Sequence, residues 1–293
     1  MLEEMLIAFG SSTIRAATPL LFCAMAVVLA ERAGVIFIGV EGAMLGGALF
    51  SMLGVVFLGS SFTGVLLCII FGILLGLIYA YVVVCLPTNQ IVSGLLFYLI
   101  VLGVTSFMFR FIAEIEPAVQ RSIPAVKPLF LGLSPFTVTA VILTIALWWF
   151  LYKTGGGLLL RSVGEDAFSA HVAGINIIGL RFLVVVIAAT IAALGGAALV
   201  IGWVRSYTAN VTMARGFIAL AAVYCGRWHP LWGALVCVLF GAGEALAFRA
   251  IGMGLGISSH YFLMIPYILT IIIIGLAGKG RAPADVGNPY TWR

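Results

Sequence analysis

Charged residues are scarce in this 293-residue sequence, where Lys, Arg, Asp and Glu make up 9% of the chain and hydrophobic residues 63%. Soluble globular domains carry roughly 25% charged residues, so the composition excludes an ordinary water-soluble domain. Apolar stretches of about 20 residues recur along the whole chain, each long enough for a hydrocarbon core of roughly 30 Å. The sequence therefore predicts an all-α polytopic membrane protein with one domain, 1–293.

Signatures of catalysis are missing as well. The five cysteines and three histidines show no metal-ligand spacing, and no HExxH, GxSxG or paired-carboxylate motif is present. The nearest approach to a phosphate-binding loop, GLAGKG at 275–280, has the wrong spacing. We therefore expect no catalytic residue, metal or cofactor in this chain, and any ATP to be bound by another subunit. The net charge of +5 comes from basic residues that are spread over loops and tails. Aromatic residues do not alternate with them as on a nucleic-acid-binding surface, so no nucleic acid partner is expected.

The apolar runs predict about nine membrane spans, within a range of eight to ten. They lie near residues 13–30, 34–58, 62–86, 90–112, 134–152, 178–203, 216–226, 230–250 and 258–278. The run 216–226 is too short to cross the membrane, because 11 helical residues rise only about 16 Å, unless it is extended or discontinuous. We expect it to be internal. Residues 1–12 lack the features of a removable signal peptide and are predicted to form a short helix on the membrane surface.

Basic residues indicate the orientation of the chain. They cluster in the tail 279–293 and around the loop 153–177, and an even number of predicted spans separates the two regions. Both are therefore expected to be cytoplasmic, with the N-terminus outside. The loop 113–133 then becomes the largest external feature. Trp228 and Trp232, near the predicted cytoplasmic boundary, are interpreted as anchors at the membrane interface.

The loop 153–177 contains a short predicted helix. Glu165 and Asp166 lie near its start, where acidic side chains complement the helix dipole, and Gly174 ends it. A short helix displayed in this way suits docking into a groove on a partner protein. The alternative is a surface connector with one helical turn.

Polar side chains inside the spans are candidates for a solute pathway. Glu41 and Glu244 lie well within apolar runs, while Asn89, Gln90 and Ser93 open the fourth span. Charged groups at this depth cost about 2.5–3.5 kcal/mol on insertion scales and usually face a bundle interior or an aqueous cavity. For both glutamates the alternative is a structural pairing with a neighbouring helix.

Small residues around Glu41 predict close helix packing. Gly39, Ala43 and Gly47 recur every four residues, which makes a stripe suited to a tight helix contact. Glu41 is predicted to point away from this stripe, towards a pathway or a different helix. Phe37, one turn earlier, shares its face and would place a stacking surface beside a hydrogen-bonding group.

Five separated blocks of the sequence resemble one known family: ERAGVIFIGVEGAMLGGAL, NQIVSGLLFYLIVLGVTSFMFR, LRSVGEDAFSAHVAGIN, RGFIALAAVYCGRWHPLWGALVCVLFG and DVGNPY. They look like the permease subunits of bacterial ABC importers in the branched-chain amino acid, ribose and nucleoside group. The VEG, GRWHP and DVGNPY stretches look most like the nucleoside permeases of purine or guanosine type, and the length resembles the shorter of their two paired permeases. Two departures are Phe37, where the family has asparagine, and Tyr224 with Cys225, where an apolar pair is usual.

The resemblance implies an importer subunit of the bacterial inner membrane, in contact with lipid, that moves a small solute by alternating access and is not an enzyme. It also implies a fold similar to the cobalamin-importer class of permeases. The implied partners are a second homologous permease, a cytoplasmic ATPase and an extracytoplasmic substrate-binding protein. The alternatives are an importer of simple sugars or branched-chain amino acids and, from another class, a proton-coupled secondary transporter.

The resemblance also implies roles for particular residues. The loop matching 161–176 would be the coupling helix that contacts the ATPase. Its predicted coupling residues are Arg161, Gly164, Glu165, Ala170 and Gly174. The predicted pathway residues are Phe37, Glu41, Asn89, Gln90, Ser93 and Glu244.

Overall fold

The computed structural model describes residues 2–116, 119, 123–124, 133–252, 264, 268, 271–272, 275 and 282–289, with only the backbone for 2–7. The helices with defined ends in this part of the chain are α1 (Leu2–Arg32), α2 (Val40–Leu58), α3 (Ser61–Ala80), α4 (Gln90–Ile115), α5 (Pro135–Lys153), α6 (Gly155–Glu165), α7 (Ala167–Val172), α8 (Ile177–Leu199), α9 (Arg215–Cys225) and α10 (Pro230–Gly252). A wider π-helical turn extends α3 to Cys85 and α8 to Val204.

Seven helices in the described ranges are long and apolar enough to cross a membrane, namely α1, α2, α3, α4, α5, α8 and α10. They correspond to the first six predicted spans and to the eighth, so the prediction of a helical polytopic membrane protein is confirmed. The ninth predicted span, 258–278, and most of the predicted external loop 113–133 lie outside the described residues.

The N-terminal residues belong to the first long helix. Residues 2–12 form the first turns of α1, so the prediction that they make a helix of their own is wrong. Gly10 lies within these turns, and a single glycine costs a helix only about 1 kcal/mol. The apolar turns that follow are enough to propagate the helix through it.

Helices α1, α2 and α8 form the buried centre of the fold, and small residues bring them together. A Cβ on Gly47 would overlap the backbone of Ala193 in α8, and one on Gly196 would overlap the backbone of Met44 in α2. Such backbone contacts are typical of small-residue packing in membranes. The predicted stripe is confirmed at Gly47. Gly39 lies just before α2 and faces aromatic rings instead.

The segment between α1 and α2 packs against the first turns of α4 before the second helix begins. The amide of Ile36 donates to Gln90 Oε1 (2.8 Å) at the start of α4. A Cβ on Gly39 would lie 3.2 Å from the ring of Phe97, two turns further along α4. A Cβ on Gly94 would in turn lie 3.2 Å from the amide nitrogen of Gly39, so the backbone just before α2 runs beside the second turn of α4. The predicted span 34–58 is therefore helical only from the start of α2.

The short run 216–226 is internal, as predicted, and of the two forms left open by the sequence the structure shows the discontinuous one. Helix α9 has 11 residues and follows irregular backbone over 205–214, where four non-glycine residues have positive φ. The carbonyl of Arg205 accepts from the amide of Ile123 (2.7 Å) in the predicted external loop. The opposite end of α9 packs against the end of α1. Residues 205–225 thus pass through the protein as an irregular stretch followed by a half-length helix.

Candidate functional site

The N-terminus of α9 is capped by a side chain from another helix. Ala214, the residue before α9, makes no side-chain cap, although the first amides of a helix need acceptors. Glu41 supplies them from the first turn of α2. Its Oε1 accepts from the Ala214 amide (3.0 Å) and the Thr212 hydroxyl (2.5 Å), and its Oε2 accepts from the Gly216 amide (2.6 Å). The carboxylate lies at the N-terminal ends of both helices, where both dipoles favour a negative charge.

This contact requires glycine at position 216. A Cβ there would lie 2.6 Å from Glu41 Oε2 and 2.9 Å from Glu41 Cα. Glu41 itself is fully buried. Of the two surroundings left open by the sequence, the structure shows the one in which Glu41 meets another helix. Its role in a solute pathway stays a prediction.

An ion pair lies next to the contacts of Glu41. Arg215, the first residue of α9, forms a salt bridge of 2.5 Å with Glu244 of α10 and donates to the carbonyl of Thr212 (3.2 Å). Its guanidinium also lies 5.4 Å from the ring centre of Trp203, within the range of a cation–π contact. We call Glu41, Thr212, Arg215 and Glu244 the polar junction, because they form one connected set where α2, α9 and α10 meet.

Removing one partner of this salt bridge is expected to destabilise the protein. Glu244→Gln removes the ionic partner of Arg215, and breaking a largely buried pair costs about 3 kcal/mol. The double replacement Arg215→Met with Glu244→Leu is expected to recover most of the loss, since neither member of the pair is then left charged without the other. Thermal unfolding of the purified protein in detergent measures both. Equal melting temperatures for Glu244→Gln and the unaltered protein would contradict this account of the pair.

The remaining predicted pathway residues lie near the start of α4. Asn89 caps α4, its side chain accepting from two amides of the first turn. Gln90 is buried and accepts from the amide of Ile36. Ser93 lines an apolar groove of about 380 Å³ between α2, α3 and α4. Phe37 is fully buried, with its ring 5.5 Å from that of Tyr79.

The structure therefore divides the predicted pathway residues into two groups. Glu41 and Glu244 are joined through Arg215, whereas Asn89, Gln90 and Ser93 share the first turn of α4. Phe37 is not part of either set of hydrogen bonds. The assignment of a solute pathway to these residues stays a prediction.

The predicted cytoplasmic end of α1 carries a second buried carboxylate, which sequence reasoning missed. Glu31 accepts from the indole N–H of Trp228 and from the hydroxyl of Tyr224 (3.2 Å). Arg32 donates to the carbonyl of Trp228 (2.9 Å) and to the hydroxyl of Tyr152 (3.2 Å). These bonds tie α1 to the end of α9. The one available signal was Tyr224 itself, a polar aromatic residue where the family has an apolar one.

The interpretation of Trp228 as an interface anchor is wrong. Its side chain is only 8% exposed, because it packs behind α1 and its N–H finds a partner in Glu31. A buried indole N–H usually needs such a partner. Trp232, one turn into α10, is exposed as an anchor requires.

The predicted helix of the loop 153–177 is present as α7, preceded by α6, which the sequence did not predict. Asp166 caps α7, accepting from the hydroxyl and the amide of Ser169 (3.0 Å for the amide). These hydrogen bonds hold the pKa of Asp166 below its usual range. The cap therefore stabilises α7 at neutral pH and is lost as the pH falls through that lowered pKa. Gly174, with φ of 89°, ends the loop helix as predicted.

The predicted coupling residues serve different structural purposes. Gly164 packs so closely on the carbonyl of Arg32 that any Cβ would overlap it. Ala170 is buried on the inner face of α7, while Glu165 is exposed. The guanidinium of Arg161 lies 4.8 Å from the ring centre of Tyr152. Their part in coupling stays a prediction.

Helix α7 shows an apolar face to its surroundings. Phe168 and Val172 are each 72% exposed, and their spacing of four residues puts them on one side of the helix. The opposite side, with Ala167 and Ala170, packs against Ile177. A short helix with an exposed apolar face suits docking into a groove on a partner protein.

The tail lies on the same side of the protein as this loop. The amide of Asp285 donates to the carbonyl of Gly164 (3.0 Å). The tail and the loop 153–177 therefore lie together at one end of the protein, and the prediction that this end is cytoplasmic stays a prediction.

Comparison with known proteins gives consistent results. Residues 11–274 match the family described as "Branched-chain amino acid transport system / permease component". The chain is 33% identical to the guanosine ABC transporter permease protein NupQ of Bacillus subtilis, over 95% of each chain. It is 31% identical to the nucleoside ABC transporter permease protein NupC of Lactococcus lactis, over 93% of each.

A third relative is named for another solute. The chain is 30% identical to a Haloferax volcanii protein named, provisionally, as the glucose ABC transporter permease protein TsgC13, over 85% of this chain and 80% of that protein. No solved structure matches the chain at a significant level. The family match over most of the chain and the two relatives with nearly full coverage agree with the helical membrane architecture. The chain belongs to the family of permease components of the branched-chain amino acid transport system type.

Proposed function

We propose that this chain is the permease subunit of an ATP-driven importer that carries nucleosides. The observation that supports an ATP-driven importer is the exposed apolar face of α7, formed by Phe168 and Val172. The sequence has no phosphate-binding loop of its own, so energy from ATP has to reach the chain through a protein contact. The nucleoside is proposed from the relatives in Bacillus subtilis and Lactococcus lactis.

Three partners complete the proposed importer. They are a cytoplasmic ATPase that docks on α7 and binds the ATP, a second homologous permease, and an extracytoplasmic binding protein that delivers the solute. We also propose nine crossings and a fold of the cobalamin-importer class. The half-length helix α9, which begins inside the protein, supports a transporter of this kind, because broken helices are typical where transporters bind and move solute.

The proposed coupling runs from α7 to the polar junction through packed contacts. Helix α6 rests on the end of α1 through Gly164, and α1 holds the far end of α9 through Glu31 and Tyr224. The near end of α9 is held by Glu41. A displacement of the loop by the ATPase therefore reaches the junction through α1 and α9, across the 11 residues of α9, which span about 16 Å.

We place the solute pathway along the polar junction and the first turn of α4. Glu244 keeps a partly exposed side chain, and Trp203 lies beside Arg215. An aromatic ring next to polar groups suits a nucleoside, which offers a base for stacking and a sugar for hydrogen bonding. Affinity is proposed to reside mainly in the binding protein.

Competition for uptake tests the proposed solute. Cells that express the importer genes are given labelled guanosine, and unlabelled competitors are added in excess. We expect other nucleosides to compete, and glucose, ribose and leucine not to compete. Competition by glucose alone would favour the sugar importer that the Haloferax volcanii relative suggests, and competition by leucine alone would favour an amino acid importer.

A further inference from the structure

The tail segment 282–289 is bonded to two parts of the same end of the protein. The amide of Asp285 donates to the carbonyl of Gly164 (3.0 Å) in α6, and the amide of Ala284 lies 3.4 Å from Glu165 Oε2. Further on, the amide of Gly287 donates to the carbonyl of Gly34 (3.1 Å), in the turn after α1. The tail thus bridges the loop 153–177 and the end of α1.

One buried arginine holds this arrangement. Arg181, in the second turn of α8, is 2% exposed. Its Nε donates to the carbonyl of Ala33 (3.0 Å). One terminal nitrogen donates to the carbonyl of Asn288 (3.0 Å), and the other forms a salt bridge of 2.9 Å with Asp285. The planar guanidinium has donors in fixed directions. It therefore joins α8, which carries it, to the turn after α1 and to the tail at the same time.

Two glycines show that the contact is closely fitted. Gly34 has φ of 89°, and a Cβ there would lie 2.5 Å from the guanidinium of Arg181. Gly287 has φ of 84°, and a Cβ there would lie 2.7 Å from the side chain of Ile36. Both positions therefore need glycine for backbone conformation and for space.

The loop is attached to the transmembrane helices at other places as well. Helix α6 packs on the end of α5, where a Cβ on Gly157 would overlap the backbone of Leu151 and Arg161 lies over the ring of Tyr152. Gly164 rests on the end of α1, and the inner face of α7 packs on Ile177. The outer face, with Phe168, is exposed. The tail adds bonds that tie α6 to the turn after α1 and, through Arg181, to α8. A force applied to the outer face of α7 therefore reaches these two helices through the tail as well as through the packing of the loop.

We propose that the tail 282–289 is a strut that couples the loop to the transmembrane helices, with Arg181 as its positioning residue. The strut keeps α6 in register with α1 and α8, so that movement imposed on α7 is passed to the bundle. This inference rests on the proposed function, because it assigns the tail a part in the coupling of ATP hydrolysis to transport.

The coupling ratio of the assembled importer tests the strut. The full complex is reconstituted in proteoliposomes, and the ATP hydrolysis stimulated by the solute-loaded binding protein, with guanosine as solute, is divided by the basal hydrolysis. We expect Asp285→Ala and Arg181→Ala to lower this ratio at least fivefold. Arg181→Lys is expected to show a ratio between those of Arg181→Ala and the unaltered complex, since lysine keeps the positive charge but lacks the planar set of donors of a guanidinium. The matched control is Arg110→Ala, an exposed arginine of α4, with an unchanged ratio.

Hydrogen exchange gives a second readout that does not depend on transport. In Asp285→Ala we expect faster exchange in the tail, and also in the loop peptide over 158–172. A role confined to holding the tail would speed exchange in the tail alone. Variants that fail to assemble are recognised by gel filtration, and Asp285→Ala, which alters a partly exposed tail residue, is the variant designed to fold.

The outcomes separate this inference from the proposed function. If the unaltered complex shows no stimulation by the binding protein, the proposed function fails, and the exchange of the loop peptide still decides on the strut. The second case is a stimulated unaltered complex. If Asp285→Ala then speeds exchange in the tail but leaves the coupling ratio equal to that of the unaltered complex, the strut is overturned. Loop exchange that stays unchanged when the tail is freed overturns it as well.

Discussion

Glu41→Gln is expected to lower nucleoside uptake by about tenfold while the protein still assembles. The amide of glutamine has one oxygen where the carboxylate has two. If that oxygen keeps the bonds from Thr212 and Ala214, the Gly216 amide faces an NH₂ group instead of an acceptor. A buried donor without a partner costs about 1–3 kcal/mol, and 1.4 kcal/mol corresponds to a factor of ten.

Uptake into proteoliposomes and yield on gel filtration measure the two effects separately. Glu114→Gln, a change at an exposed glutamate of α4, is the matched control and is expected to leave uptake unchanged. Gly216→Ala disturbs the same contact from the other side and is expected to impair uptake similarly. Normal uptake by Glu41→Gln would contradict the importance given to the capping of α9.

Phe168→Asp is expected to abolish coupling to the ATPase without unfolding the permease. Large aromatic side chains at the centre of an interface often contribute 2 kcal/mol or more, which weakens binding by about 30-fold when they are lost. A carboxylate on the exposed face of α7 adds the cost of burying a charge. Because Phe168 is mostly exposed, its replacement removes little from the core of the free permease.

Copurification of the ATPase and stimulation of its hydrolysis measure this effect. Phe168→Leu keeps the apolar contact and is expected to retain most of the stimulation. Thermal unfolding of the isolated permease should be nearly the same for both variants. If Phe168→Asp retains the ATPase with full stimulation, α7 is not the docking element.

The sequence predicts those parts of the fold that depend on local patterns. Seven spans follow from the length of apolar runs, because a helix that crosses a membrane must be apolar along its whole length. The start of α7 follows from Asp166, whose side chain bonds three residues ahead. The packing at Gly47 follows from a spacing of four residues. In each case the information lies within a few turns of the chain.

The sequence does not predict the contacts that join distant segments. Glu41 and Gly216 are 175 residues apart, and Arg181 and Asp285 are 104 apart. Nothing in the spacing around Glu41 indicates that its partner is a helix lacking a cap of its own. The wrong interpretation of Trp228 has the same reason. The sequence does not distinguish a tryptophan that anchors the protein at the membrane boundary from one whose indole N–H donates to a buried glutamate such as Glu31.

The energy source of uptake tests the central claim most directly. The permease is reconstituted in proteoliposomes with its partner permease, ATPase and binding protein. Uptake of labelled guanosine is then measured with and without ATP on the side of the membrane that carries the ATPase. The account predicts uptake that requires ATP and the binding protein and is indifferent to an uncoupler. Uptake that persists without ATP and collapses with an uncoupler would contradict it and identify a proton-coupled transporter.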